Sequence, residues 1–192
     1  MEPSYLTAFV GLTGSITTIL GVFITSRTQI ANQSFNNRFQ LELAREKSRH
    51  DAWRAANEAA TSQLAHAHKL LSFLGREFSV TGLNIMWTAT MSVENFNAKY
   101  MALCEKADEL LMIVDFHAPE ASDACRDIYG QMSMFWGNFG NVLHLTASGK
   151  KVDSDTHCFK EAHKAATTLG QKVGLAKSLV RQAYQSSRVA EQ

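Results

Sequence analysis

The side chains of this sequence with the greatest chemical reach are its histidines, its cysteines and one short basic run. His157, Cys158, Glu161 and His163 crowd together. On a helix only His157 and Glu161, four apart, share a face. A zinc ion wants at least three protein ligands, so one more would have to come from elsewhere in the chain. The expectation is therefore no metal site, and a polar first turn of a helix accounts for the cluster. His66 and His68 are two apart, which on a helix sends them in different directions. Cys104, Cys125 and Cys158 are odd in number and widely scattered. They read as buried thiols of a reducing compartment and not as a disulfide framework. The sequence has no CxxC pair, glycine-rich phosphate loop, serine nucleophile elbow or paired metalloprotease histidines, the arrangements that mark the commonest chemistries. No cofactor is implied, and an enzyme is not the first expectation.

The basic run Arg45-Glu46-Lys47-Ser48-Arg49-His50 reads first as a solvated cationic face. Its Arg, four intervening residues and His also resemble the short motif of HEPN-type ribonucleases. That resemblance implies Arg45 and His50 acting at a scissile phosphate, with an all-helical body around them.

The longest uncharged stretch lies between Glu2 and Arg27. Tyr5 to Ser26 as a helix would reach about 33 Å, the thickness of a bilayer's hydrocarbon layer. The sequence reading is a transmembrane anchor over 1–26. Its residues are sorted by size: Thr7, Gly11, Gly14, Thr18, Gly21 and Thr25 fall on one stripe, opposite Tyr5, Phe9, Leu12, Ile16, Ile19 and Phe23. Small residues let helix backbones approach, so the stripe is an expected seam of a homo-oligomer. Heptad steps carry it through Phe35 and Phe39 along a helical stalk over 27–45. Arg27, Arg38 and Arg45 follow the stretch and no cation precedes it. The positive-inside rule then gives a single-pass bacterial inner-membrane protein, N-terminus outside and body cytoplasmic, with the lipid bilayer and its own copies as partners.

Positioning these residues requires helices. No Pro or Gly interrupts the chain from Arg27 to Gly75, which predicts one long rod. Trp53, Ala56, Ala60, Leu64, Ala67, Leu71 and Leu74 then supply an apolar face for a bundle core. Phe78 to Gly82 breaks the rod, and a second long helix is expected to about Asp115. Pro119-Glu120 suits the first turn of a third. Its buried face is Cys125, Ile128, Met132, Phe135, Phe139 and Val142, and it ends in the Ser148-Gly149 loop. Asp153 or Ser154 caps a last helix lined by Phe159, Ala162, Ala166, Leu169, Val173, Ala176 and Val180. The expected fold is all-α, with the N-terminal transmembrane helix running on into an antiparallel four-helix cytoplasmic bundle over 46–192.

Lysine plus arginine number 19 against 18 acids, a balance that makes nucleic acid an unlikely partner on bulk charge. Met134 and Trp136 stand out on the third body helix, among Gly130, Gly137 and Gly140. Either the glycines allow close packing against neighbouring helices, or Met134 and Trp136 belong to an adaptable surface for a protein partner. A single N-terminal span, a helical body and an Arg-x4-His match together resemble the layout of the small membrane accessory proteins of type VI-B CRISPR systems. That resemblance implies a membrane pore that assists antiviral defence, and it transfers no functional residue. The expected function is thus a homo-oligomeric, pore-forming membrane effector. The alternatives are a membrane-tethered HEPN-like ribonuclease or a non-enzymatic signalling or adaptor bundle.

Overall fold

The computed structural model describes residues 3–189, with side chains from 21 to 187. Its described residues form five α-helices and one 3-10 turn: α1 (Pro3–Glu77), α2 (Val80–Thr88), α3 (Val93–His117), the turn Pro119–Ala121, α4 (Ser122–Ala147) and α5 (His157–Val189). The chain divides into two units, Met1–Ala55 and Ala56–Gln192.

In the first unit every residue from 21 to 55 is exposed. Without packing partners the hydroxyls turn inward on their own helix. Thr25 Oγ1 donates to the Gly21 carbonyl at 2.7 Å and Thr28 Oγ1 to that of Ile24 at 2.9 Å, the usual resort of threonine within a helix. Among the described residues no helix is long and apolar enough to cross a membrane. Only Gly21 to Ser26 of the expected anchor carry described side chains. Beyond them Arg27, Gln29, Asn32, Gln33 and Arg38 interrupt any apolar run. The rest of the proposed seam, Thr7, Gly11, Gly14 and Thr18, lies outside the residues whose side chains are described. The described residues are accordingly all-α, and the expected transmembrane anchor is not found among them. The inner-membrane localisation, the bilayer partner, the pore and the likeness to CRISPR membrane accessory proteins, all of which rested on that helix, are corrected with it.

The second unit is an antiparallel bundle whose four long members are residues 56–77 of α1, α3, α4 and α5. Cross-helix pairs fix the order around it. His66 and Glu77 of α1 meet Glu109 and Lys99 of α3. Asn97 and Asp115 of α3 meet Trp136 and Arg126 of α4. Lys172 of α5 meets Asp127 of α4, and Asn57 of α1 donates to the Ser187 carbonyl of α5. The apolar stripes read from the sequence turn inward: Leu64, Leu71, Leu74, Leu110, Val114, Ile128, Met132, Phe135, Phe139, Val142, Leu169 and Val180 are all buried. Phe135 sits at the centre, with ring centroids 5.3 Å from Phe78, 6.5 Å from Phe96 and 5.6 Å from Phe139. Trp53 and Ala56, expected on this face, are exposed.

The second long helix is broken in two, which the apolar pattern around Trp87 did not disclose. α2 ends in a Schellman turn, with the Thr90 N–H on the Trp87 carbonyl and the Met91 N–H on that of Met86. That closure needs a residue of positive φ after the helix, and here it is Thr90 at +50°. Ser92 then caps α3, its Oγ accepting from the Asn95 N–H at 3.2 Å. The same closure recurs after α4, with the usual glycine: Gly149, φ +72°, bonds the Thr146 carbonyl. Between α1 and α2 the reversal is tighter. Ser79 Oγ accepts from the Gly82 N–H, and a Cβ on Gly82 would lie 2.8 Å from the Glu77 carbonyl oxygen. α5 begins at His157, a turn later than the sequence pattern placed it. Asp153 first folds back, accepting from the Asp155 N–H and from Thr156 Oγ1.

Candidate docking surface

On α4, Met134 and Trp136 are two positions apart, about 200° around the axis, and they do different things. Trp136 leans on α3. Its Nε1–H donates to Asn97 Oδ1 at 2.9 Å, and its ring stacks on Tyr100 at 5.1 Å and 18°. The Tyr100 hydroxyl in turn pairs with Ser133 Oγ at 3.1 Å. Burial, ahead of a hydrogen bond with Cys104, holds the Tyr100 hydroxyl above its ordinary pKa, so it stays a neutral donor and acceptor. Trp136 keeps 40% of its surface exposed. It is a half-covered aromatic plate with its polar atom already satisfied.

Met134 is 48% exposed, and it shares the outer side of α4 with Gly130 and Gly137, four before and three after it. A Cβ on either glycine would meet nothing within 4 Å. The close-packing account of these glycines therefore fails for both. Gly140 alone approaches a neighbour, at 4.0 Å from Phe96. The exposed side of α3 carries large apolar residues that sequence reasoning missed: Met101, Met112 and Phe116, the last 80% exposed. Their spacing of eleven and four places them within about 60° of one another on a helix. That periodicity was present in the sequence but overshadowed by the stronger buried face.

The other candidates do not assemble into a site. Arg45 and His50 lie exposed in the first unit, five positions apart on one unbroken helix. That puts them about 140° apart around the axis, and they do not converge on a phosphate. The His50 ring stands 6.4 Å from that of Trp53. Among the described residues no group of three metal-ligating side chains occurs. His66 and His68 diverge as expected. His66 Nε2 lies 2.7 Å from Glu109 Oε1, and that carboxylate is held below its ordinary pKa first by Lys106 and then by His66. Burial pushes the Cys125 thiol up to about 11, so it remains protonated and unreactive at neutral pH. The ribonuclease and pore readings are replaced by that of a helical bundle with exposed apolar side chains. No protein-family model, characterised protein or solved structure matches the chain.

Proposed function

We propose that this protein is a non-catalytic adaptor whose bundle recruits a protein partner through the outer side of α4 around Met134, with Trp136 at the α3 edge of that helix as a flanking contact. The observation that carries the reading is Met134 flanked by two glycines that have no packing role among the described residues. A glycine inside a helix costs about 1 kcal/mol relative to alanine. Nothing in the bundle offsets that cost at Gly130 or Gly137, whereas a second helix laid there could come closer for the missing side chains. Met134 on α4, and Met101 and Met112 on α3, add exposed unbranched side chains that can adapt to a partner's shape.

Site-specific photo-crosslinking in the native host tests it. A crosslinker at Met134 or Met101 is expected to trap one discrete protein, and one at the exposed Gln171 of α5 is expected not to. Trp136→Ala should keep the helical signal and the melting transition while the Met134 adduct disappears. Equal adducts from all three positions, or none, would sink the proposal, and a collapse of the fold in Trp136→Ala would reassign that residue to packing.

Phe35 and Phe39, at 74% and 57% exposure, support a second contact of the same kind. They lie one turn apart on residues 21–55 of α1, in register with Gly21, Thr25 and Thr28. Such a line suits a coiled-coil contact with another helix, and Phe35→Asp would abolish it.

A further inference from the structure

The cations of the second unit differ in whether they hold a carboxylate. Lys99, Lys106, Arg126, Lys160 and Lys172 each hold a carboxylate. Lys150, Lys151 and Lys164 hold none among the described residues, and neither do Lys69 and Arg76 of α1 together with Lys177 and Arg181 of α5. The last four lie on the α1 and α5 side. The two helices are in close contact there: a Cβ on Gly75 would stand 3.2 Å from Val173 Cγ1. Lys69, Arg76 and Lys177 rim an open depression of about 600 Å³ with Leu70 and Phe73 beneath. Lys177 and Arg181 are near enough to His68 that, after burial, their charges help hold its pKa below the usual 6.5.

On α5 the same side continues as Gly170, Gly174, Lys177 and Arg181, spaced four, three and four, so they form one line along the helix. A Cβ on Gly170 or Gly174 would meet nothing within 4 Å. Half of the line is bare backbone and half is unpaired positive charge. Over these positions the helix advances about 16 Å, or three turns.

We infer that this side of the bundle is a second docking site, and that its occupant is an acidic amphipathic helix of a partner protein. The helix would lie along α5, with its backbone over Gly170 and Gly174, its carboxylates on Lys177, Arg181 and Arg76, and one apolar residue on Leu70 and Phe73. Charge complementarity selects the acid. The apolar floor and the bare backbone select a helix over a nucleic acid strand, for which the depression offers only the half-buried Phe73 and the His66 ring, the latter paired with the Glu109 carboxylate, too little to stack successive bases. The site is separate from the α3 and α4 surface, so the inference stands or falls independently of the adaptor proposal.

The test uses the full chain and a fluorescein-labelled, end-capped helical peptide of about fifteen residues. The peptide carries Glu on one face and Leu at heptad spacing. Anisotropy should report binding that weakens about tenfold or more between about 50 and 300 mM NaCl, as screening shortens the reach of the charges. Lys177→Glu with Arg181→Glu should weaken it by at least about tenfold at low salt, with an unchanged melting transition. Gly174→Leu should weaken it with all charges in place, and Trp136→Ala should have no effect. Equal binding by the double variant, equal binding of a Lys-for-Glu peptide, or indifference to Gly174→Leu would each overturn the inference. So would no binding at all, or tighter binding of a single-stranded RNA of the same charge, which would assign the site to nucleic acid.

Discussion

Residues 21–55 and 56–77 belong to one helix, yet they are held in opposite ways. In the second stretch Leu64, Ala67, Leu70, Leu71 and Leu74 are buried, while the first keeps Phe35, Phe39, Leu41 and Leu43 in the open. Both stretches satisfy their backbone hydrogen bonds equally well, so hydrogen bonding does not distinguish them. The difference is what lies against the apolar side chains. Net stability from a helical hydrogen bond is small, and helices in water depend chiefly on packing of an apolar face. Residues 56–77 share the bundle's stability, whereas 21–55, exposed throughout, rely on helix propensity.

The largest effects should therefore fall on the bundle side of that comparison. Leu71→Ala and Phe135→Ala remove side chains that are fully buried and should each cost about 3–5 kcal/mol in urea unfolding. A loss below about 1 kcal/mol at either would mean that the core is not packed as described. Gly82→Ala comes next. Its new methyl would press on the Glu77 backbone carbonyl, which has no rotamer to yield, and about 1–3 kcal/mol is expected to be lost. Two substitutions should act in the opposite sense, each by about 1 kcal/mol. Thr90→Gly relieves a β-branched residue held at positive φ. Ser122→Ala removes a buried hydroxyl with no hydrogen-bond partner. A melting temperature lowered by either would refute the corresponding strain or desolvation argument.

The helical faces of the bundle were legible because burial imposes a period. Leu64 to Leu74, Cys125 to Val142 and Phe159 to Val180 read inward from spacing alone. The break at Ala89–Ser92 was not legible, since it depends on Ser92 choosing to cap and on Thr90 accepting a conformation its side chain opposes. Both are local decisions that an apolar count does not register. The docking surfaces were half legible. Gly130 and Gly137 drew notice, but a sequence does not say whether a glycine faces a neighbour or open space. The cations of α1 and α5 escaped altogether, because residues 69 and 177 are brought together only by the antiparallel pairing of two distant helices. The apolar stretch before Arg27 misled for a related reason. Length and hydropathy describe a segment's composition, and composition fits several surroundings.

The smallest expected effect is the most discriminating for the open stretch. Phe35→Ala with Phe39→Ala deletes two large exposed rings, and the bundle's unfolding free energy should move by no more than about 0.5 kcal/mol. Amide hydrogen exchange should agree, with residues 30–50 exchanging far faster than 64–74, since exposed helical bonds open without unfolding a core. If the isolated protein already protects residues 30–50 as strongly as 64–74, those phenylalanines are covered by a second helix, and the double substitution should then remove that protection without lowering protection at Leu71. Protection that survives the substitution would instead mean that helix propensity alone secures the stretch, leaving Phe35 and Phe39 with no part in holding it.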